Sequence, residues 1–206
     1  MVKPRLVGRI MSDLSRRDVV QALAAAPLVG SFLSKTEIER AWRGVGATAG
    51  ATVQPSFFTA HEYQTVRLLA DLVIPSDERS GGATDAGVPE FIDFVLTEGN
   101  EENRRIAVRG GLAWMDIECR ERFGKNFIDC TDQQRAQLLD QIAWPGMAPA
   151  ELAHGVRFFN TFRNLVASGF WSSKIGVEDL RYMGNTSIAE WTGCPGEQLR
   201  RLGVRY

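Results

Sequence analysis

Few side chains in this 206-residue sequence could support acid–base, nucleophilic or metal chemistry. The only histidines, His61 and His154, do not have the spacing of a metal site or of a nucleophile–base pair. Three cysteines occur without any C-x-x-C pair, which argues against a zinc or iron–sulfur site: Cys119, Cys130 and Cys194. We therefore predict no catalytic, cofactor-binding or metal-binding residue in this chain.

Several other classes of site are also disfavoured. The sequence has no G-x-G-x-x-G motif after a strand, no P-loop and no C-x-x-C-H motif, so nucleotide and covalent haem binding are not predicted. A formal net charge of -1 gives no basic stripe for nucleic acid. The odd cysteine count leaves at least one thiol free or available to another chain, and both buried thiols and a disulfide stay open.

The N-terminal segment has the layout of an export signal. Basic residues precede a short apolar stretch that is too weak for a membrane span of about 20 residues. Ser15, Arg16 and Arg17, followed by Asp18 and two valines, resemble the twin-arginine signature, which addresses folded proteins to the twin-arginine translocase. We therefore predict a signal helix in residues 1–33 and a periplasmic protein, either free or membrane-associated.

The sequence leaves the cleavage of this signal open. Ala47, Thr48 and Ala49 have the small-x-small form of a processing site. However, the charged stretch from Lys35 to Arg43 lies before them and favours a short helix, with Ser34 and Glu37 spaced as a capping box. Small residues then indicate a flexible linker, so we assign 34–56 to a short helix and linker. The true start is either Met1 or Met11.

Helical periodicity dominates the remainder, and an apolar fraction of 44% is enough for a core. We predict that residues 57–206 form one compact, irregular all-α bundle, preceded by the signal helix and the linker. Capping boxes at 59–62 and 131–134 predict two helix starts, and apolar stripes predict helices over 101–123 and 150–167.

Two stretches between these helices are unusual in composition. The Gly- and Asp-rich loop at 76–88 lacks the spacing of a calcium-binding EF-hand, so we expect a turn that caps the helix near Pro89. The stretch 169–185 concentrates aromatic residues, Met and glycine outside the strong helical pattern. We predict short helical pieces after Gly169, broken by Gly176 and Gly184, with Phe170 in the core. Partner-interface candidates are Trp171, Tyr182, Met183 and, in a Gly-Cys-Pro-Gly turn, Cys194.

These features together resemble the gluconate 2-dehydrogenase subunit 3 family. The similarity lies in the twin-arginine leader and in the blocks from Phe57 to Leu96 and from Gly169 to Asn185. Residues 72–93 follow the family pattern I-P-x-D-x-x-S-x-G-A-x-x-A-G-V-x-x-F-I-D closely. One departure is Arg181, because the family more often has glycine before the tyrosine.

The resemblance implies a non-catalytic accessory subunit. In the family, a GMC-type flavoprotein large subunit holds FAD and oxidises a sugar or alcohol, often with a cytochrome c subunit. Haem c or iron–sulfur groups would therefore belong to partner subunits. The small subunit would fold and stabilise the large one and direct its export. Two alternatives stay open, an independent periplasmic enzyme with an unrecognised site and a self-associating structural protein of the envelope. Neither the sequence nor the resemblance indicates which sugar is oxidised.

Overall fold

A computed structural model describes residues 33–47, 54–99, 101–182, 184, 190 and 193–204. In these residues the structure has eight α-helices, two short 3-10 turns and no strand, which confirms the predicted all-α bundle. The helices are α1 (Lys35–Ala47), α2 (Ala60–Val73), α3 (Val88–Glu98), α4 (Glu102–Phe123), α5 (Asp132–Ala143), α6 (Ala153–Ser172), α7 (Lys174–Asp179) and α8 (Gly196–Leu202). The 3-10 turns are Phe127–Asp129 and Ala150–Leu152. None of the described helices is both long and apolar enough to cross a membrane.

Local sequence determines where α1, α2 and α5 begin. At α2, the Thr59 hydroxyl accepts a hydrogen bond from the Glu62 N–H at 3.2 Å, and the Glu62 carboxylate accepts one from the Thr59 N–H at 2.8 Å. The same reciprocal pairs begin the other two helices: Ser34 with Glu37, and Thr131 with Gln134. Each pair satisfies N–H groups that a helix start leaves without partners, so all three predicted starts are confirmed.

Helix α6 lies at the centre of the bundle and packs against α1 to α5 and α7. Two glycines allow α4 and α6 to approach each other closely. A Cβ atom at Gly111 would lie 1.8 Å from Cδ2 of Phe158, and one at Gly155 would lie 2.5 Å from the Trp114 ring. Since both aromatic side chains are buried and cannot move aside, the close crossing of α4 and α6 depends on the absence of a side chain at Gly111 and at Gly155.

The predicted end of the last long helix near Ala167 is wrong. Helix α6 continues to Ser172, so Gly169 to Trp171 belong to this long helix and not to a separate short piece. Gly169 fits because its backbone lies against Phe91, where an added Cβ would be 2.9 Å from the ring. The next residue, Phe170, is buried in the core, as expected, at 1% exposure. Burial of these positions outweighs the weak helix propensity of glycine, which sequence periodicity alone could not show.

A short helix follows at once. The Ser173 hydroxyl accepts a hydrogen bond from the Gly176 N–H at 3.0 Å and so caps α7. Gly176 lies inside this helix and does not break it. A side chain is excluded at this position, because a Cβ would lie 2.0 Å from the Phe170 carbonyl oxygen. The stretch from Gly169 is therefore two helices joined at Ser173.

Arg181 has a left-handed backbone, with φ of 52°. Glycine avoids a steric cost in this conformation, which explains why the family more often has glycine at this position. Nothing in the structure explains the arginine. We expect Arg181→Gly to raise stability by about 1 kcal/mol, or about 3 °C in melting temperature. Arg163→Gly, at an exposed position inside α6, is the matched control and should lower stability by about 1 kcal/mol. Thermal unfolding of both variants checks this, and equal losses would contradict it.

Candidate functional site

The Gly- and Asp-rich loop between α2 and α3 uses its carboxylates to hold its own backbone. Asp77 accepts hydrogen bonds from the N–H groups of Arg79 and Ser80, both at 2.8 Å. These two bonds hold the pKa of Asp77 below its ordinary value. Asp85 accepts similarly from the Gly82 N–H at 2.9 Å. The described residues contain no group of three or more His, Cys, Asp or Glu that could hold a metal. The loop leads into α3 at its N-cap residue Gly87, which makes no side-chain capping bond.

Two positions of this loop require glycine, one because of its backbone conformation and the other because of a close approach to neighbouring backbone. Gly87 has a φ of 74° immediately before α3, a conformation that favours glycine. Gly82 lies so close to the preceding turn that a Cβ would be 2.8 Å from the Ser76 nitrogen. The Ala83 N–H then donates to the Ile74 carbonyl at 2.9 Å. The spacing of small residues in the motif is therefore a requirement of this tight loop.

The segment before α2 is tied to α3 by one buried side chain. The Asp93 carboxylate accepts hydrogen bonds from three consecutive N–H groups at 2.8, 3.0 and 3.1 Å: Ser56, Phe57 and Phe58. From the other side, the Arg109 guanidinium lies 4.1 Å from the centre of the Phe57 ring and 3.2 Å from the Glu62 carboxylate. These contacts position the segment against the bundle. Neither Asp93 nor Arg109 was among the predicted site residues.

The two blocks of the family resemblance meet at one end of the bundle. Arg79 of the loop forms a two-pronged ion pair with Asp179 of α7, at 2.5 Å from Nε and 3.0 Å from Nη2. The Asp179 side chain is only 5% exposed, so it is fixed in place. Gly169 packs against Val88 and Phe91 at the same junction. Because the paired residues are 100 positions apart, no sequence pattern could have indicated this contact.

Large apolar side chains are exposed at this junction. We define the aromatic end as the last turn of α6, α7 and residues 180–182. Trp171, Leu180 and Tyr182 are 41%, 56% and 55% exposed there. Trp171 stacks edge-to-face on the buried Phe170 ring at 4.9 Å, so an exposed ring is fixed to the core. Exposed aromatic side chains on a rigid support are typical anchors of protein interfaces.

Two of the four interface candidates are exposed side chains of the aromatic end. Trp171 and Tyr182 both belong to the aromatic end, whereas Met183 lies outside the described residues. Cys194 is exposed in the turn before α8. The export residues Ser15, Arg16 and Arg17 also lie outside the described residues.

Both histidines have structural contacts. His61 Nε2 lies 2.6 Å from the Asp116 carboxylate, whose other oxygen accepts from the Phe127 N–H at 2.9 Å. This pair joins α2 to α4 and to the first 3-10 turn, and the sequence did not indicate it. His154 is buried and packs edge-to-face on Trp114 with ring centres 5.0 Å apart. His154 therefore packs within the core of the bundle.

The three thiols differ in exposure and should differ in reactivity. Burial and the neighbouring Cys130 raise the pKa of Cys119 to about 12, and both side chains are buried, whereas Cys194 is exposed. Because the thiolate is the reactive form, we expect a maleimide to label only Cys194 in the native protein. The other two should react after unfolding in urea. Peptide mass spectrometry checks this, and native labelling of Cys119 as fast as that of Cys194 would contradict it.

Comparison with known proteins places these features in a family. Residues 60–193 match the family model described as gluconate 2-dehydrogenase subunit 3. The matched range spans α2 to α7 and is about two thirds of the chain. No curated protein and no solved structure shows a significant match. The matched range contains both the Gly- and Asp-rich loop and the aromatic end. The resemblance inferred from the motifs is thereby confirmed, and the chain belongs to the gluconate 2-dehydrogenase subunit 3 family.

Proposed function

We propose that this chain is the non-catalytic accessory subunit of a flavin-dependent sugar dehydrogenase, which it helps to fold, stabilises and directs through twin-arginine export. The family match supports this proposal most strongly, because the family is one of dehydrogenase subunits. The flavoprotein large subunit is the proposed partner and holds FAD. A cytochrome c subunit is a further proposed partner, and the complex would be periplasmic.

The aromatic end is the proposed contact with the flavoprotein. Trp171 lies in the last turn of α6 beside the buried Phe170, and Tyr182 follows α7, which the Arg79–Asp179 pair joins to the loop before α3. A surface that is already ordered loses little side-chain entropy on binding, which favours affinity. Tyr182 and Trp171 also combine apolar area with a polar group, as interface residues often do.

The leader is the proposed source of the export function. Ser15, Arg16 and Arg17 match the signature of a route that transports folded proteins. A flavoprotein that binds FAD in the cytoplasm would need such a route. We propose that it crosses the membrane together with this chain.

Co-purification tests the proposed partnership. A tagged copy of the chain, purified from its source cells, should bring down a yellow protein with the absorbance of oxidised flavin and sugar-dependent dye reduction. The same chain purified alone should be colourless and inactive. A lone chain that bound flavin and oxidised sugar would contradict the proposal and favour an independent enzyme. A lone chain that formed large homo-oligomers and captured no flavoprotein would favour a structural protein.

The contribution of the aromatic end can be measured with two exposed tryptophans. We expect Trp171→Ala to weaken binding of the flavoprotein by about 10- to 30-fold, the effect of removing a strong interface anchor. Trp144, 65% exposed in the loop after α5, is the matched control, and its replacement by alanine should leave affinity unchanged. Titration of purified flavoprotein with each variant gives the two affinities. Equal affinities for both variants would remove the aromatic end from the interface.

A further inference from the structure

Helix α1 lies outside the range that matches the family, yet it packs into the hydrophobic core. The match begins at residue 60, whereas α1 ends at Ala47. Within α1, Ala41 is only 1% exposed, and Leu33, two residues before the helix, is 8% exposed. The helix packs along α3 and also contacts α6. In this chain, therefore, the folded unit extends beyond the range that matches the family model.

One face of α1 fits closely against α3 and α6. The Trp42 indole N–H donates to the Ser172 hydroxyl at 2.8 Å, and its ring lies 5.1 Å from that of Phe91. Gly44 approaches α3 so closely that a Cβ would be 2.0 Å from the Phe94 ring. Both partner helices are within the family match, and Ser172 is next to Trp171 of the aromatic end. Helix α1 thus supports the surface that we propose for docking.

A charged contact also ties α1 to α4. The Glu37 carboxylate lies 3.4 Å from Nη1 of Arg104, whose side chain is 4% exposed. Partial burial acts to raise the pKa of Glu37, but the hydrogen bonds from Ser34 and the Arg104 charge outweigh it and lower the pKa. Loss of α1 would remove this carboxylate from beside the buried Arg104 guanidinium.

We infer that α1 is a permanent part of the folded subunit and that any processing of the leader occurs before Leu33, not after Ala49. The part of this inference that concerns the leader rests on the proposed export function. Twin-arginine cargo folds before it is exported, so α1 would already be packed when the protein reaches a peptidase. Cleavage after Ala49 would break the covalent link between the rest of the chain and Leu33, Trp42 and Gly44, which pack against its core.

The N-terminus of the exported protein tests the position of processing. Intact-mass measurement and N-terminal sequencing of the periplasmic subunit should give a first residue at or before Leu33. A first residue at Gly50 would overturn the inference.

A cut chain tests the packing of α1 independently of export. We would insert a site for a sequence-specific protease between α1 and α2 in the full chain and purify the protein from the cytoplasm. After cleavage, the N-terminal fragment should elute with the remainder on gel filtration. A fragment that separates, leaving a remainder with the melting temperature of the uncut chain, would overturn the inference. Failure of export alone would instead contradict the proposed function.

Two glycines of α1 make the matched variants for this experiment. Gly44→Leu places a side chain against Phe94, whereas a Cβ at Gly46 meets nothing within 4 Å. We expect Gly44→Leu to lower the melting temperature of the uncut chain by about 5 °C or more and to release the fragment after cleavage. Gly46→Leu should do neither. If both variants kept the fragment and the wild-type melting temperature, the close packing of α1 would be refuted.

Discussion

Asp93→Ala should lower the free energy of unfolding by about 4 kcal/mol, the largest effect that we expect from a single substitution. The reason is that one carboxylate, 8% exposed, accepts hydrogen bonds from three consecutive N–H groups of the segment before α2. Hydrogen bonds to a charged group contribute about 1.5–3 kcal/mol each, though not additively, and alanine leaves the three donors unsatisfied. For a chain of this size, the melting temperature should fall by about 8–16 °C.

Two further variants separate the role of this carboxylate from a general loss of charge. Asp93→Asn keeps one oxygen acceptor and should have an intermediate melting temperature. Asp140→Ala removes a carboxylate at an exposed position of α5 and should change stability by less than about 0.5 kcal/mol. Urea unfolding monitored by circular dichroism gives all three values. If Asp93→Ala unfolded at the same urea concentration as Asp140→Ala, the proposed tie between α3 and this segment would be wrong.

Replacing Arg16 and Arg17 together by lysine should reduce the periplasmic amounts of both this subunit and its flavoprotein to background. A planar guanidinium presents several donors in a fixed fork, whereas an ammonium group is a compact point charge. A signal with two lysines therefore keeps its positive charge but lacks the donor geometry that a receptor for adjacent guanidinium groups recognises. Cell fractionation with immunoblotting of both proteins, together with sugar-dependent dye reduction in the periplasm, measures the loss.

The same leader contains a matched control for charge. Arg5 and Arg9 lie in the basic region but outside the twin-arginine pair, so replacing both by lysine should leave export unchanged. Both double variants should accumulate folded subunit in total cell extracts, which separates export from stability. Normal periplasmic dehydrogenase activity in the variant that carries both Arg16→Lys and Arg17→Lys would contradict the proposed escort role.

The boundaries of several helices could be predicted from sequence because the interactions that determine them are local. Capping boxes join residues three positions apart, as at Thr59 and Glu62, so the starts of α1, α2 and α5 follow from neighbouring side chains. The loop after α2 is likewise held by carboxylates within a few residues, as at Asp77 and Ser80. The motif spacing that indicated the family reflects these short-range requirements.

Sequence alone thus determined the helical class, the local caps and the family, whereas only the tertiary structure decided which elements meet. Arg79 and Asp179 are 100 positions apart, and Trp42 and Ser172 are 130 apart. The continuation of α6 through Gly169 likewise depends on packing against Phe91. The physical reason is that such contacts arise from burial of whole helix faces against one another, whereas periodicity and capping describe only one helix at a time.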